Sequence, residues 1–375
     1  MRARRYGNPT ALGKQGSEFN TVGAARRHVN HRERTVVTHS ATYQDILPVA
    51  IAAVAAACRV TRHVQSRQQH IERHSKDDMS PVTVADYAAQ AVIARQLADA
   101  FGTLTMVGEE DAETLREAGR SALREEVAAA ARVAWPGAGI DDVLNAIDLG
   151  NHDASGARYW TLDPIDGTKG FLRGGQYAVS LALIEQGKVV LGVLGCPNLS
   201  QDFNRSFDDP DTRGCLFHAV RGGGSWAVPA DRTDLSPRRL DASREEDISA
   251  MRVCESVEAA HSRIDDTGRI VDYLAARGAP ARLDSQCKYA VVARGQAEAY
   301  LRLPTRRDYV EKIWDHAAGM IIAEEAGAVV TDVLGKPLDF SKGAGLAANR
   351  GVICATRAFH GRIRQAISAL GLFPE

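Results

Sequence analysis

A layered α/β fold is predicted for this chain of 375 residues on two observations. Strand-like runs interleave with helix-like runs from about Thr42 to the C-terminus, an alternation that builds sheets covered by helices. The composition, 45% hydrophobic and 25% charged, is that of a globular protein with ample apolar material for a core.

Residues 1–41 stand apart as a basic, unstructured leader. The first 40 hold eight Lys and Arg against only Glu18 and Glu33, with three His and no sustained apolar period. An Arg-rich, acid-poor organelle transit peptide is the alternative reading. From Thr42, "ATYQDILPVAIAAVAAACRVTRHVQ" and "VTVADYAAQAVIARQLADAFG" repeat apolar residues at three and four and read as helices. The polar stretch closed by Ser80-Pro81 between them reads as a loop entering the second helix. "TLTMV" reads as a strand ending at Gly108-Glu109-Glu110-Asp111. Residues 111–149, rich in Ala and Glu, read as helical with a break at Pro136-Gly137.

Several strands are expected over 158–196, and the Pro/Asp-rich "NRSFDDPDTRG" divides the chain into halves 42–205 and 206–375. The second half opens with strand "CLFHAV" and the hairpin-like "RGGGSWAVP". Strand "MRVCES", helices 261–276 and 286–294, strand "AEAYLRL", helix 315–326, strand "GVICAT" and a last helix follow. "RGGGSW" lacks the strand-loop-helix order and the Lys of a phosphate-binding P-loop and reads as a turn.

A formal net charge of -1 speaks against a nucleic-acid binder, which carries a basic excess. The apolar run Ile46–Val60 is shorter than the ~20 residues a membrane span needs and reads as a packed helix. Six scattered cysteines form no C-x-x-C pair, so buried free thiols in a reducing compartment are expected. A cytoplasmic location follows, or a plastid or mitochondrion if residues 1–40 are a transit peptide. Cys196 has no activating His beside it and reads as a packed thiol.

The chemistry gathers on acids at element ends. Asp78 lies in "KDDMSP", Glu109 in "VGEED", Asp163 and Asp166 in "LDPIDGT", and Asp315 in "KIWDHAAG". Each alone has an ordinary reading, Asp315 as a helix cap and Asp78 as part of a solvated charge run. Together they suggest a cage for hard cations, which favour oxygen ligands. In that scheme Asp163 bridges two ions, with Asp166 on one side, Glu109 on the other and the Ile165 carbonyl as a further oxygen. Two ions about 3.5–4 Å apart are a recurring device in phosphate ester chemistry. Thr168 offers a hydroxyl to orient an attacking water.

"DPIDGT", with "GEE" upstream and "WDHAAG" downstream, resembles the lithium-sensitive, Mg-dependent phosphatases of the inositol monophosphatase superfamily. "KDDMSPVTVADYAAQ", "GVLGCPNL", "DSQCKY" and "YLRLP" are similar to its 3'(2'),5'-bisphosphate nucleotidase branch, with the motifs in order across roughly residues 42–370. The resemblance implies an α-β-α-β-α sandwich and two or three Mg²⁺ held by Glu109, Asp163, Ile165, Asp166 and Asp315. It implies that Asp78 and Thr168 activate water, and that Thr168, His261, Ser285, Lys288 and Arg302 hold a small-molecule nucleotide. The implied reaction takes adenosine 3',5'-bisphosphate to AMP and phosphate, and extends to the sulfated analogue 3'-phosphoadenosine 5'-phosphosulfate of sulfur metabolism. An inositol mono- or polyphosphate phosphatase is the alternative enzyme; a non-catalytic bisphosphate nucleotide sensor is the alternative of another class. No nucleic acid or membrane partner is expected.

Overall fold

The computed structural model describes residues 42–68, 81–257, 264–304, 306 and 309–373; the leader, Asp78 and His261 lie outside them. Helix α1 (Tyr43–Gln68) starts at Thr42, whose Oγ1 and backbone N–H both donate to Asp45 Oδ2, at 2.7 and 3.1 Å, tying down a helix start that has few internal bonds. At 26 residues it is longer than its apolar run suggests and, by length and composition alone, could cross a membrane. In the fold it packs on α2 (Pro81–Phe101) and on one face of a sheet.

That sheet has seven strands in sequence order: β1 (Met106–Gly108), β2 (Arg158–Asp166), β3 (Ala178–Glu185), β4 (Lys188–Cys196), β5 (Cys215–Val220), β6 (Ser225–Pro229) and β7 (Arg238–Leu240). β1 and β2 are parallel and the other pairs antiparallel. The sheet therefore takes in strands on both sides of residue 205. The expected turn at "RGGGSW" joins β5 to β6. Before β2 lie α3 (Glu113–Arg116), α4 (Ser121–Ala131) and α5 (Ile140–Ile147). The predicted helical stretch thus has a second break, near Gly119, at φ +89°, a backbone region that favours glycine.

A second sheet orders β11 (Val329–Thr331), β12 (Val352–Ala355), β10 (Ala299–Arg302), β8 (Val253–Glu255) and β9 (Ala281–Arg282). Between the sheets run α8 (Cys287–Ala293) and α9 (Ala317–Glu325), while α7 (Ile264–Tyr273) and α10 (Arg357–Ala369) cover the outer face. The layers are α1/α2, sheet, α8/α9, sheet, α7/α10, the α-β-α-β-α order expected. Strand alternation explains it: Val179, Leu181 and Leu183 of β3 face α1 and α2, while Ala178, Ala182 and Ile184 face the middle helices. On β4, a Cβ at Gly192 would lie 2.5 Å from Ile321 and 3.0 Å from the Ala318 oxygen. The bare position lets α9 press onto the sheet.

Helix α9 begins two residues later than expected, with His316 as its N-cap, so Asp315 sits just outside it. Its end, within one residue of the expected 326, is a glycine stop: Gly327 has φ +102°, and Gly327 and Ala328 donate back to the Glu324 and Ala323 oxygens at 2.9 and 3.0 Å. Strands β7, β9 and β11 and the short helix α6 (Thr168–Leu172) were not foreseen, being too short to show a period.

Candidate active site

Strand β2 delivers the central acids. Its register with β3 holds through Asp163 opposite Ser180 and resumes at Asp166 opposite Ala178. The irregularity takes up Pro164, which has no N–H to give a ladder. Beyond Asp166, Gly167 adopts φ +89°, and a Cβ there would lie 2.7 Å from Ser285 Cβ. Only glycine lets the turn close against the 284–287 segment. Helix α6 then starts at Thr168, which is exposed and lines the cleft with Lys169.

The cleft, about 360 Å³, is lined by Glu109, Asp163, Ile165, Asp166, Thr168, Ser285, Lys288, Arg302 and Asp315. Every site residue expected from the sequence that falls among the described residues therefore reaches one cavity. Ile165 lines it while packing with Phe171 and Tyr177 in the core.

Asp163 is 3% exposed, and its Oδ1 has no hydrogen-bond partner among the described residues. Burial, then the charges of Glu109, Asp166 and Asp315, drive its pKa well above the usual carboxylate range. Burial also raises Glu109, to about 7, against a hydrogen bond with Asp163 that pulls the other way. Asp315 is raised by burial, with Arg302 and His316 opposing. Such a cluster is costly unless positive charge enters it. An orphaned oxygen amid converging hard donors fits a divalent cation bound through oxygen.

Gln90 of α2 holds the Glu109 turn. Its Oε1 accepts from Glu110 N at 3.2 Å, and its Nε2 donates to the Glu110 oxygen and, at 3.0 Å, to the Ile147 oxygen. Asp86, a turn earlier on the helix and 8% exposed, has its pKa raised by burial and then by Glu110 and Glu109. Asp166 is fixed from the opposite side, its Oδ2 accepting from Gln286 N at 2.6 Å.

The facing wall is cationic. Lys288 is 5% exposed, donates to Ser256 Oγ at 3.4 Å and the Leu283 oxygen at 3.3 Å, and sits 5.1 Å over the Tyr300 ring. Burial lowers its pKa. Ser285 carries φ +67°, rare for a residue with a side chain and a mark of functional sites; its Oγ accepts from Cys287 N at 3.1 Å.

Arg302 is more committed than its expected nucleotide contact suggests, with Nε 2.8 Å from Glu311 Oε2 and Nη2 3.5 Å from Asp315 Oδ2. Burial alone would raise Glu311, but the hydrogen bond with His316 and the Arg302 charge outweigh it and bring the carboxyl to about 2. His316 is fully buried and reaches Tyr289 OH at 2.8 Å through Nδ1, a structural part. Glu311, Asp315 and His316 place possible ligand atoms within 4.8 Å of one another. Since Arg302 and Tyr289 already engage Glu311 and His316, this group is an ion-pair network that leaves Asp315 to face the cleft.

Sequence reasoning missed Ser256, Asp284, Tyr300 and Tyr309 in the lining. Asp284 pairs with Arg173 at the rim and accepts from Val257 N at 3.2 Å. Tyr309 and Val310, 41% and 43% exposed, present apolar surface beside the charged wall. Asp284 and Tyr300 lie inside the quoted "DSQCKY" and "YLRLP", and for Tyr309 the available signal was an aromatic in the polar stretch after "YLRLP".

The model of the inositol monophosphatase family matches residues 42–371. A 3'(2'),5'-bisphosphate nucleotidase of Schizosaccharomyces pombe is 42% identical over 337 residues, covering 86% of this chain and 94% of that protein. A 3',5'-bisphosphate nucleotidase 2 of Arabidopsis thaliana is 41% identical over 340 residues, covering 87% and 96%. Among solved structures, an IMPase of Thermotoga maritima superposes with TM-score 0.57 at 21% identity over 87% of this chain and 98% of that one, a likeness of fold. The motif resemblance is borne out, and the chain belongs to the inositol monophosphatase family.

Proposed function

We propose that the protein is a Mg²⁺-dependent phosphatase that removes the 3'- (or 2'-) phosphate of adenosine 3',5'-bisphosphate, giving AMP and phosphate. 3'-Phosphoadenosine 5'-phosphosulfate is the second substrate of this reading. The observation that carries it is a cleft joining buried carboxylates, one oxygen without a partner among the described residues, to a wall of Lys288, Ser285 and Arg302. Similarity to fungal and plant proteins named bisphosphate nucleotidases supports a nucleotide over an inositol phosphate.

Glu109, Asp163, Asp166, Asp315 and the Ile165 carbonyl would hold two or three ions. Bound there, divalent cations supply charge to the phosphate oxygens and acidify water. The remaining chemistry belongs to side chains. Thr168, exposed at the mouth of the cleft, orients the attacking water, and Asp78 takes its proton. Water's oxygen bonds to phosphorus as the bond to the ribose oxygen breaks, the released oxygen taking a proton from solvent to give the AMP hydroxyl, with no covalent enzyme intermediate. Lys288 sets positive charge against the phosphate that stays. Tyr309 offers a flat apolar face to the base.

The test is phosphate release by the purified protein with Mg²⁺, comparing adenosine 3',5'-bisphosphate with inositol 1-phosphate and inositol 1,4-bisphosphate. Preference for the nucleotide supports the proposal. Preference for an inositol phosphate keeps the carboxylate site and overturns the assignment of the wall. Tight nucleotide binding without release identifies a sensor.

A further inference from the structure

Residue Gln286 touches neither the acids' oxygens nor the cleft with its side chain, yet it ties together the two segments that carry Asp166 and Asp315. It is 1% exposed and is the N-cap residue of α8. Its backbone N–H donates to Asp166 Oδ2 at 2.6 Å. Its side chain crosses to the next helix, where Nε2 donates to the Trp314 oxygen at 2.9 Å and Oε1 accepts from Gly319 N at 3.0 Å.

Both side-chain bonds land where α9 needs them. The first amides of a helix have no internal acceptor, and His316, the local N-cap, makes no side-chain capping bond. Gly319, the third residue of α9, is instead capped from another helix by Gln286. The Trp314 carbonyl belongs to the residue just before Asp315, so its anchor fixes the peptide from which that acid projects. Ser180, opposite Asp163 in the β3 register, gives the same carbonyl a second donor, its Oγ at 3.3 Å.

We propose that Gln286 is a positioning residue for the cation site, a strut that sets the spacing between Asp166 and Asp315 by capping α9 in trans. The inference rests on the divalent-cation reading of the cleft. Partners that orient ligands without touching the ion are typically worth about 10- to 100-fold in metal affinity or activity.

The experiment is calorimetric titration of the metal-free full chain with Mn²⁺ alone, without substrate, comparing wild type, Gln286→Met and Glu298→Gln. Met keeps the length of the side chain and loses both bonds; Glu298 precedes the end of β10 opposite Arg302. Gln286→Met is expected to bind Mn²⁺ about 10- to 100-fold more weakly, with kcat largely regained at saturating metal, while Glu298→Gln binds like wild type. A Gln286→Met protein that melts lower but binds Mn²⁺ as wild type does would overturn the proposal by reducing Gln286 to a structural residue. If Gln286→Met does not fold, Ser180→Ala deletes the second donor to the Trp314 carbonyl without adding an atom. A weaker loss in the same direction supports the strut, and unchanged affinity overturns it. Wild-type protein that binds no Mn²⁺ removes the cation reading and this inference with it, whereas Mn²⁺ binding without phosphate release separates the two.

Discussion

Replacing Asp163 with Asn should make the metal-free protein more stable while abolishing its turnover. Asp163 is 3% exposed, with one oxygen unpartnered among the described residues and Glu109, Asp166 and Asp315 raising its pKa further. A buried charge lacking compensation costs several kcal/mol. Asn keeps the shape and removes the charge, so a gain of about 1–3 kcal/mol is expected. For about 310 described residues the unfolding entropy is roughly 0.7 kcal/mol/K, which converts that gain into a rise of about 1.5–4 °C in Tm. Metal closes or reverses the gap: at 100 times its Kd a ligand adds about 2.7 kcal/mol to the wild type, close to 4 °C, and nothing to a variant that cannot hold it. Loss of the several kcal/mol that a cation lends the transition state lowers kcat on the order of 10³-fold. The assay is thermal unfolding of both proteins in chelator and in millimolar Mg²⁺, beside phosphate release. An Asp163→Asn protein that melts below wild type in chelator, or that gains as much from Mg²⁺, would refute the reasoning.

Three further changes probe other parts of the argument. Gly167→Ala forces a side chain onto φ +89° and against Ser285 at 2.7 Å, so urea unfolding should show a loss of about 1–3 kcal/mol together with lower kcat. Lys288→Met should raise KM for the nucleotide about 10- to 100-fold by removing charge-assisted bonds to phosphate, with Mn²⁺ affinity in calorimetry unchanged; an unchanged KM would move Lys288 out of the binding wall. His218, 6% exposed with Nδ1 unpartnered among the described residues, has its pKa lowered by burial from 6.5 to about 4. The unfolded chain therefore binds the proton first. The His218 contribution to stability is full above pH 6.5 and falls as pH drops towards 4, by about 3 kcal/mol in all. His218→Phe should flatten that part of the profile in urea melts at pH 7 and pH 4.5, and an unaltered slope would exonerate the histidine.

What could be read from the sequence was what is local. Asp163, Asp166, Gly167 and Thr168 fall within six residues on a strand-to-helix turn, so their types and spacing carry the chemistry in a short window. Asp315 was ambiguous between cap and ligand, because the acids it faces lie some 150 residues or more away in the chain. Arg302 was legible as a cation, but its pairing with Glu311 depends on a loop between β10 and α9 that no periodicity describes. Gln90 and Gln286 looked like ordinary helix residues. Their work is done by amides reaching backbone groups on other elements, which only tertiary packing brings near. Strands of two or three residues, such as β9 and β11, pair through neighbours that already exist and need no pattern of their own.

The middle helices have a consequence for how this protein acquires its activity. Glu109 and Asp163 come from one sheet, Arg302 from the other, and Lys288 and Asp315 from the layer they share. The first sheet carries most of the acids but neither Asp315 nor the cationic wall, so neither sheet with its own helices completes the cleft. Catalysis is therefore a property of the closed sandwich, gained only when both sheets clasp α8 and α9. During refolding, phosphate release should be the last signal to return, after helix content and after burial of either sheet.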